Sequence, residues 1–364
     1  MISSGDARET AQDILSLEEA RRNKVRLSWP KGGGESSPAL SWVFELPFST
    51  EDGGNSPNII TLNNYPMTRI IPHIDWTSFV QTWDLAAHTY PSAYDKKSRK
   101  KTEKDLQKLR EDAKAMLNRI VSDSIFSPRG VVGIFPACSE TDDIVLYSPG
   151  KCRGDCRGEN REEAARFIFP RNQERKKDGE PNPCLADFIL PREIFEREQT
   201  ANPAAHLGLY ALSVGFGLRE AEEEYRNGKD DYGALLLAGL ANSLTEAFSE
   251  EIHQRLSNAL SAAGEKTPGE KAPPGIRPAF GNPACPDHRD KEIAFALLGA
   301  EKRCGLKLTD TAMIIPAASV CGIYITHPGS FYFSIGSMGD DQFHDWAGRK
   351  GISPAEARTR LGGL

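Results

Sequence analysis

Long helical segments in this sequence are separate from paired β-rich runs, and this separation limits the possible folds. Apolar residues recur at the three- and four-residue spacing of a helix face through Thr102–Val121 and again through Tyr232–Leu260. Between these segments, the β-rich runs "RGVVGIFPA" and "DIVLYSPG" are divided by the polar "CSETD", which predicts a hairpin. Strands that pair through hairpins, apart from the helices, are typical of an antiparallel sheet rather than of βαβ units. We therefore predict an α+β fold.

Further segments complete this outline. The run "HLGLYALSVGFG" predicts a strand that leads into a helix beginning near Leu218. The run "RDKEIAFALLGAEKRCG" predicts a helix that ends at Gly305, because basic residues occupy its last turn and glycine is a common C-terminal stop. The run "SVCGIYITHPGSFYFSIGSM" predicts two strands joined at 328–330, a second hairpin. Near the start, "LSWVFELPF" is strand-like between loops rich in glycine, serine and proline.

The composition excludes several classes of function. The formal net charge is -6, and lysine and arginine are spread through the chain, so the sequence does not indicate a basic surface that would bind nucleic acid. The first twenty residues lack a basic start followed by an apolar core, and no run approaches the ~18 apolar residues of a membrane span. We therefore expect a cytoplasmic protein that binds neither nucleic acid nor membrane. Residues 1–16 predict a polar leader or linker, followed by one domain over 17–364 whose ordered body begins near Ile59.

Cysteine, histidine and basic residues do not predict a metal or nucleophilic site. The seven cysteines, scattered over a long chain, do not form a disulfide framework, and we expect most to be reduced and buried. Cys152 and Cys156 have the spacing of zinc ligands but no further ligands nearby, which favours an exposed loop. Cys285 and His288 suggest a nucleophile pair, but flanking prolines at a predicted helix start favour a structural role. The run "RNQERKK" predicts an exposed face, with docking of an acidic flavodoxin as the alternative.

The stretch "GIRPAFGNPACPDH", from Gly275 to His288, has the composition of a rigid binding loop. Its prolines fix φ and remove backbone donors, so the remaining main-chain groups point in set directions. Ala279 and Gly281 leave room for a planar ring to approach the main chain, and Arg277 carries a planar fork of donors that suits a carboxylate or phosphate. These residue types predict a seat for a small anionic ligand with a flat part. They leave open that Arg277 caps a local carbonyl or pairs with a surface acid.

This stretch also resembles the signature of a known family, the C-terminal activation domain of cobalamin-dependent methionine synthase, which reads close to RPAxGYPACPDH. Other blocks are similar to the same family in the same order: "LEEARRN", "IPHIDWTSFVQTWDL", "SPRGVVGIFPA", "CLADFILP", "KDDYGALLLAGLANSLTEAFSEEIH", "LKLTDTAMIIPAASVCGIYITHP" and "GRKGIS". The resemblance extends from about Leu17 to the end of the chain. It implies a single large domain with a twisted antiparallel β-sheet and flanking helices, which binds S-adenosylmethionine in a shallow groove.

The resemblance implies a repair function. Cobalamin that has been oxidised to the inactive cob(II) state would be reduced by a flavodoxin-type electron donor and remethylated from S-adenosylmethionine. The expected partners are therefore that donor and the cobalamin-binding domain of methionine synthase. The chain would be the activation module of a methyltransferase and not a complete enzyme, because it has neither a DxHxxG cobalamin-ligand pattern nor adjacent cysteines for a catalytic zinc. Those functions would lie on other chains or on a removed N-terminal part.

An alternative hypothesis is a stand-alone S-adenosylmethionine-binding or regulatory protein that serves another corrinoid methyltransferase. Two departures from the family signature bear on it, since Asn282 replaces a tyrosine and Phe280 replaces a proline. An acid that the family often places before the signature does not align cleanly either, because Lys271 occupies its position and Glu270 lies one residue away. These changes predict altered contacts with the ligand or the corrinoid partner.

Seven residues match family positions that contact the ligand: Asp75, Glu246, Arg277, Ala279, Gly281, Tyr324 and Ile325. The resemblance implies that the two acids suit the cationic part of the ligand and that Arg277 holds its carboxylate. Main-chain groups of Ala279 and Gly281 would contact the adenosine part, with Tyr324 and Ile325 near the ligand. No catalytic acid or base is expected, because reduced cobalt is the nucleophile and the sulfonium the leaving group. The simpler interpretations are that Asp75 caps a turn before "WTSF" and that Glu246 is an ordinary exposed helix acid.

Overall fold

The computed structural model describes residues 14–29, 58–87, 96–148, 162–177, 179–198, 205–262 and 275–361. Its strands are β1 (Ile59–Leu62), β2 (Arg129–Glu140), β3 (Asp143–Tyr147), β4 (Glu163–Ile168), β5 (His206–Ser213), β6 (Lys307–Leu308), β7 (Ile314–Ile315) and β8 (Ser319–Tyr324). Six of them form a central sheet of order β4-β3-β2-β5-β8, with β1 also paired to β2, while β6 and β7 form a separate ribbon. Every pairing between these strands is antiparallel. The α+β fold with an antiparallel sheet is thereby confirmed.

The described helices cover both faces of the sheet. They are α1 (Leu17–Arg22), α2 (Met67–Ile70), α3 (Trp76–Ala87), α4 (Lys96–Ser122), α5 (Arg192–Glu198), α6 (Leu218–Asn227), α7 (Asp231–Ala262), α8 (Asp290–Leu298), α9 (Ala300–Cys304), α10 (Asp340–Lys350) and α11 (Pro354–Leu361). The two long helical patterns, the β2–β3 hairpin and the helix beginning at Leu218 are confirmed. None of these helices is long and apolar enough to cross a membrane.

The interior of strand β5 is apolar because both of its faces are buried. Leu209 and Ala211 face one core cluster, which includes α8, whereas Tyr210 and Leu212 face another, which includes α4 and α7. All eight residues of the strand are buried, because helices cover both faces of the sheet at this position. This packing fixes α7 against the sheet, and α7 carries much of the candidate site described below.

The predicted second hairpin is wrong. Strand β8 ends at Tyr324, and no second strand follows in residues 326–339. One edge of β8 pairs with β5, and the other is taken by the segment 276–280: the N–H groups of Ile323 and Ile325 donate to Pro278 (3.0 Å) and Ile276 (2.9 Å). Since neither edge is free, the apolar run after Tyr324 packs through its side chains instead, and Phe331 and Phe333 contact Phe188.

Two further predictions need correction. The helix predicted to end at Gly305 does end there, but Gly299 divides it into α8 and α9, because this glycine has a left-handed φ of 60°. The basic run at 171–177 is not simply an exposed face, since Arg171 and Gln173 are buried among ion pairs and hydrogen bonds. The strand-like run at 40–48 and the pair Cys152 and Cys156 lie outside the described residues.

The segment before Ile59 also makes contacts with the body of the fold. Helix α1 begins with a capping box formed by Ser16 and Glu19, which satisfies the first N–H groups of the helix. The N–H of Leu17 donates to Asp341 on α10 at 2.6 Å, and Arg21 forms an ion pair with Asp142 at 2.7 Å. These contacts join residues near the start of the chain to the β2–β3 turn and to the last helices.

Candidate functional site

A groove lies between the start of α3, the middle of α7 and the segment that contains Arg277. Its volume is about 410 Å³. Among the side chains that line it are Asp75, Ser78, Asn242, Glu246, Glu250 and Arg277. The groove thus brings together three segments that are widely separated in the sequence.

Helix α7 contributes a polar stripe to this groove. Asn242, Glu246 and Glu250 are four residues apart, so their side chains lie on one face of the helix. The opposite face, with Leu244 and Phe248, is fully buried in the core. The apolar face therefore fixes the rotation of the helix and directs its carboxylates into the groove.

Asp75 immediately precedes the first residue of α3 and caps this helix. Its carboxylate accepts hydrogen bonds from the N–H groups of Thr77 (2.9 Å) and Ser78 (3.0 Å) and from the Ser78 hydroxyl (2.6 Å). The hydrogen bonds from Ser78, followed by that from Thr77, lower the pKa of Asp75 below its ordinary value. The capping interpretation is therefore confirmed, and the same carboxylate remains ionised on the wall of the groove.

Arg277 is placed by the segment that pairs with β8. The N–H of Ile276 donates to Ile325 (2.8 Å) and that of Phe280 donates to Cys321 (3.0 Å), on either side of Arg277. The backbone of Arg277 has different partners: its N–H donates to the Tyr332 hydroxyl at 2.9 Å, and its carbonyl accepts from the Tyr210 hydroxyl at 3.2 Å. The backbone is thus anchored on both sides while the side chain extends into the groove.

The Arg277 guanidinium forms ion pairs with two glutamates of α7. Its Nε donates to Glu250 at 2.8 Å and its Nη1 donates to Glu246 at 3.0 Å. Burial raises the pKa of Glu250, but the hydrogen bonds from Gln254 and Arg277 outweigh this effect and bring that pKa below its ordinary value. The open alternative that Arg277 pairs with an acid is therefore realised, and both acids belong to the groove.

Tyr324 and Ile325 are fully buried on opposite faces of the sheet, Tyr324 in the core cluster that includes α7 and Ile325 in the other cluster. The Tyr324 ring stacks on Tyr210 with centroids 4.3 Å apart and lies parallel to the His253 ring at 5.5 Å. Its hydroxyl donates to the Ser249 carbonyl at 3.2 Å. Burial lowers the pKa of His253 to about 4, against the opposing effect of Glu250, so this imidazole is neutral at pH 7. Neither of these two predicted residues lines the groove.

Ala279 and Gly281 form the tight turn after Arg277. The Ala279 carbonyl accepts from the Asn282 N–H and from the Cys285 thiol, both at 3.0 Å, and the Gly281 N–H donates to the Cys285 carbonyl at 2.8 Å. Gly281 has a φ of 103°, and the His288 ring fills the space where a side chain would lie. The turn is compact and lies beside the groove, but neither Ala279 nor Gly281 lines the groove itself.

The geometry favours structural roles for the described cysteines. All five described cysteines are buried and free, and burial raises the pKa of the Cys285 thiol. The Cys285 thiol bonds to the Ala279 carbonyl, whereas His288 Nδ1 lies 2.7 Å from the Lys291 ammonium, so these contacts do not pair the thiol with the imidazole. Across the described part of the chain, no group of three or more histidine, cysteine, aspartate or glutamate side chains is placed to hold a metal ion.

Sequence reasoning identified three groove residues, Asp75, Glu246 and Arg277, and missed Glu250 and Asn242. The missed residues lie four residues on either side of Glu246 on the same helix. Their helical spacing is the signal that could have identified them, once Glu246 was taken as a site residue.

Comparison with known proteins agrees with this architecture. Residues 66–351 match the family described as vitamin B12 dependent methionine synthase, activation domain. The chain belongs to this family. A solved structure described as the MetH reactivation domain bound to AdoHcy is similar to this activation domain, with a TM-score of 0.73 and 29% sequence identity. The match covers 96% of this chain and 98% of that one.

Proposed function

We propose that this activation domain binds S-adenosylmethionine in the groove and supports the reductive remethylation of inactive cob(II)alamin in a cobalamin-dependent methionine synthase. The observation that carries this proposal is the convergence of Asp75, Glu246, Glu250 and Arg277 in one groove. The ligand carries a sulfonium, an ammonium and a carboxylate. Carboxylates that surround one arginine complement this set of charges.

The charge balance of the groove favours a cationic ligand. Apart from His73, the ionisable lining residues are three carboxylates and one guanidinium, which leave a formal excess of two negative charges. S-adenosylmethionine has two positive charges and one negative charge, so its net charge opposes that of the groove. The AdoHcy bound to the similar MetH reactivation domain supports an adenosyl ligand of this type.

Within this proposal, each residue has a binding role and none transfers a proton. Arg277 holds the ligand carboxylate, and Glu246 contacts the ammonium group. Asp75 contributes negative charge from the wall of the groove. The adenosine part extends from the groove over the adjacent turn, where main-chain groups of Ala279 and Gly281 contact it. The main chain of Ile325 pairs with Ile276 and so holds the segment of the arginine, while Tyr324 bonds to α7 in the core.

The methyl transfer requires partners that this chain does not supply. Cobalamin, carried by a separate domain of methionine synthase, supplies the reduced cobalt nucleophile that takes the methyl group. A flavodoxin-type donor supplies the electron. The activation domain itself orients the sulfonium so that its methyl group is open to the docked partner. A cytoplasmic location belongs to the same proposal.

The departures from the family signature have different structural settings. Phe280 is buried and stacks on Phe167 with centroids 5.3 Å apart, so it belongs to the core. Asn282 is exposed on the turn beside the groove. Under the proposed function, the exposed Asn282 is therefore the substitution that changes contacts with the ligand or the corrinoid partner.

Isothermal titration of the purified chain with S-adenosylmethionine tests the binding site. We expect saturable binding that weakens by roughly 1 to 3 kcal/mol in Arg277→Ala, because this change removes a charge-assisted contact, and that also weakens in Asp75→Asn, because this change removes a negative charge from the groove wall. Asparagine caps helices about as well as aspartate, so Asp75→Asn separates the charge of the residue from its capping role. Arg219→Ala, at an 86% exposed side chain on α6, is the matched control.

Absence of binding by the folded wild-type chain would contradict the proposed function, and full affinity in both groove variants would contradict the site. Once binding is established, the chain is mixed with a cobalamin-loaded partner domain and a reduced flavodoxin. Methylcobalamin formation is then followed by its absorption spectrum. The expected result is methylation that depends on S-adenosylmethionine and is slower in Arg277→Ala.

A further inference from the structure

The two glutamates that bind Arg277 differ in their exposure and in the number of hydrogen bonds that hold their carboxylates. Glu250 is 30% exposed, and its carboxylate also accepts a hydrogen bond from Gln254 at 2.8 Å. Glu246 is 62% exposed and binds Arg277 through a single contact to Nη1. An exposed ion pair contributes little, because water replaces it at small cost. Glu250 is therefore the fixed partner of the arginine and Glu246 the exchangeable one.

The two contacts also use different parts of the guanidinium. A carboxylate can form two parallel hydrogen bonds with the outer edge, which consists of Nη1 and Nη2. Glu250 lies on Nε, away from that edge, whereas Glu246 occupies one of its two nitrogens. The described residues form no hydrogen bond with Nη2 of Arg277. A ligand carboxylate that takes the outer edge thus displaces Glu246 but leaves Glu250 in place.

We propose that Glu250 is a positioning residue, which holds Arg277 through Nε so that the outer edge of the guanidinium faces the ligand carboxylate. Glu246 is exchanged on binding: it leaves Nη1 and takes the ligand ammonium. This inference rests on the proposed function, because it assigns roles within the same groove. It distinguishes two acids that lie one helical turn apart and contact the same arginine.

A pair of ligands separates these two roles. Decarboxylated S-adenosylmethionine keeps the sulfonium and the ammonium but lacks the carboxylate that Arg277 is proposed to bind. We expect Glu250→Ala to weaken the binding of both ligands, because a negative charge is lost from the groove, but to weaken S-adenosylmethionine roughly tenfold more than the decarboxylated ligand. Glu246→Ala is expected to weaken both ligands, because both carry the ammonium group. The measurement is isothermal titration of the full chain with each ligand.

Two further variants control for charge and shape. Glu223→Ala removes the same charge from an exposed ion pair with Arg219 on α6, and we expect it to change neither affinity. Glu250→Gln keeps an amide oxygen that can accept from Nε, so it should recover part of the loss for S-adenosylmethionine. Thermal unfolding of each variant establishes that the fold is intact.

The outcomes distinguish this inference from the proposed function. If the wild-type chain binds neither ligand, the proposed function fails and the role of Glu250 fails with it. In a second outcome, the wild-type chain binds S-adenosylmethionine while Glu250→Ala lowers the affinity for both ligands equally, or for neither of them. In that case the positioning role is overturned while the binding site stands. A larger loss for the carboxylate-bearing ligand supports the role.

Discussion

Gly281 has a backbone conformation that a side chain would strain. Its φ is 103°, and a β-carbon built on it would lie 2.3 Å from the His288 ring. Gly281→Ala must therefore strain the backbone and also displace the imidazole. We expect the variant to lower the free energy of unfolding by roughly 1 to 3 kcal/mol, the range for a residue held in an unfavourable backbone region. Urea unfolding measures this change.

The matched control is Gly348→Ala on α10. A β-carbon at Gly348 would meet nothing within 4 Å, and its position inside a helix favours alanine. We expect this variant to raise the free energy of unfolding by up to about 1 kcal/mol. Opposite signs for the two substitutions would support the requirement for glycine at 281, whereas equal destabilisation would show that the turn has no such requirement.

His253 makes the stability of the fold sensitive to acid. The ring is packed against Tyr324, with Glu250 and Arg277 as the charged groups that act on it. Its pKa is about 4 in the folded protein, against an ordinary value of 6.5, so the unfolded chain binds the proton first as the pH falls. The contribution of this residue to the free energy of unfolding is therefore fully present above about pH 6.5 and is lost progressively as the pH falls toward 4.

We expect this linkage to remove about 2 kcal/mol between pH 7 and pH 5. His253→Phe keeps a flat ring beside Tyr324 and has no proton to bind. The wild-type chain should thus lose more stability than His253→Phe over this interval when both are unfolded in urea at each pH. An equal loss in the two proteins would assign the acid sensitivity to other groups.

The chemistry of single residues could be predicted better than their partners. The family resemblance implies Asp75, Glu246 and Arg277 as site residues, and these three lie together in the groove. The two ion pairs of Arg277 were not predicted individually, because they depend on the rotation of α7 against the sheet. A sequence specifies which side chains can form ion pairs, whereas the packing of elements selects which pairs form.

At the scale of elements, local pairing could be predicted and long-range pairing could not. The β2–β3 hairpin joins neighbouring runs through a short turn, with Glu140 opposite Asp143, and its sequence pattern was sufficient. The run after β8 has similar apolar residues but forms no strand, because the segment 276–280 already pairs with the available edge. An apolar pattern indicates that residues are buried, but it does not indicate whether a strand edge is available for pairing.

The division of the α8–α9 segment has a related cause. Apolar residues on both sides of Gly299 keep the spacing of one helix, and Leu298 and Ala300 are both fully buried. The left-handed φ of Gly299 changes the direction of the chain without exposing these residues. A glycine inside a periodic segment is thus compatible with one helix or with two, and the tertiary packing decides between them.

At the scale of the whole molecule, a buried ion-pair network joins distant parts of the chain. Arg171 binds Asp142 and Asp187, each at 2.7 Å, and all three side chains are at most 2% exposed. Asp142 also binds Arg21 of α1, and Arg21 continues to Asp345 of α10 at 2.8 Å. The network thereby links the first described helix, the β2–β3 turn and the C-terminal helices.

This network explains why a basic run that was predicted to be exposed is partly buried. The sequence shows Arg171 next to other charged residues, which is the usual pattern of a solvated surface. Its acidic partners lie at distances of up to 29 residues in the sequence, and they become neighbours only when the sheet and the segment after β4 have packed. The burial of Arg171 therefore depends on the assembled fold and cannot be predicted from the local sequence.

Arg171→Leu tests how far the fold depends on this network. The change leaves Asp187 and Asp142 buried with one fewer cation, and an uncompensated buried charge costs about 3 to 5 kcal/mol. Arg175→Leu, four positions along and exposed, removes the same charge and should change the free energy of unfolding by no more than about 0.5 kcal/mol. Urea unfolding of both variants measures the difference. If Arg171→Leu is as stable as Arg175→Leu, the buried aspartates do not require this cation. A large loss of stability in Arg171→Leu alone means that the fold depends on Arg171 to neutralise Asp142 and Asp187.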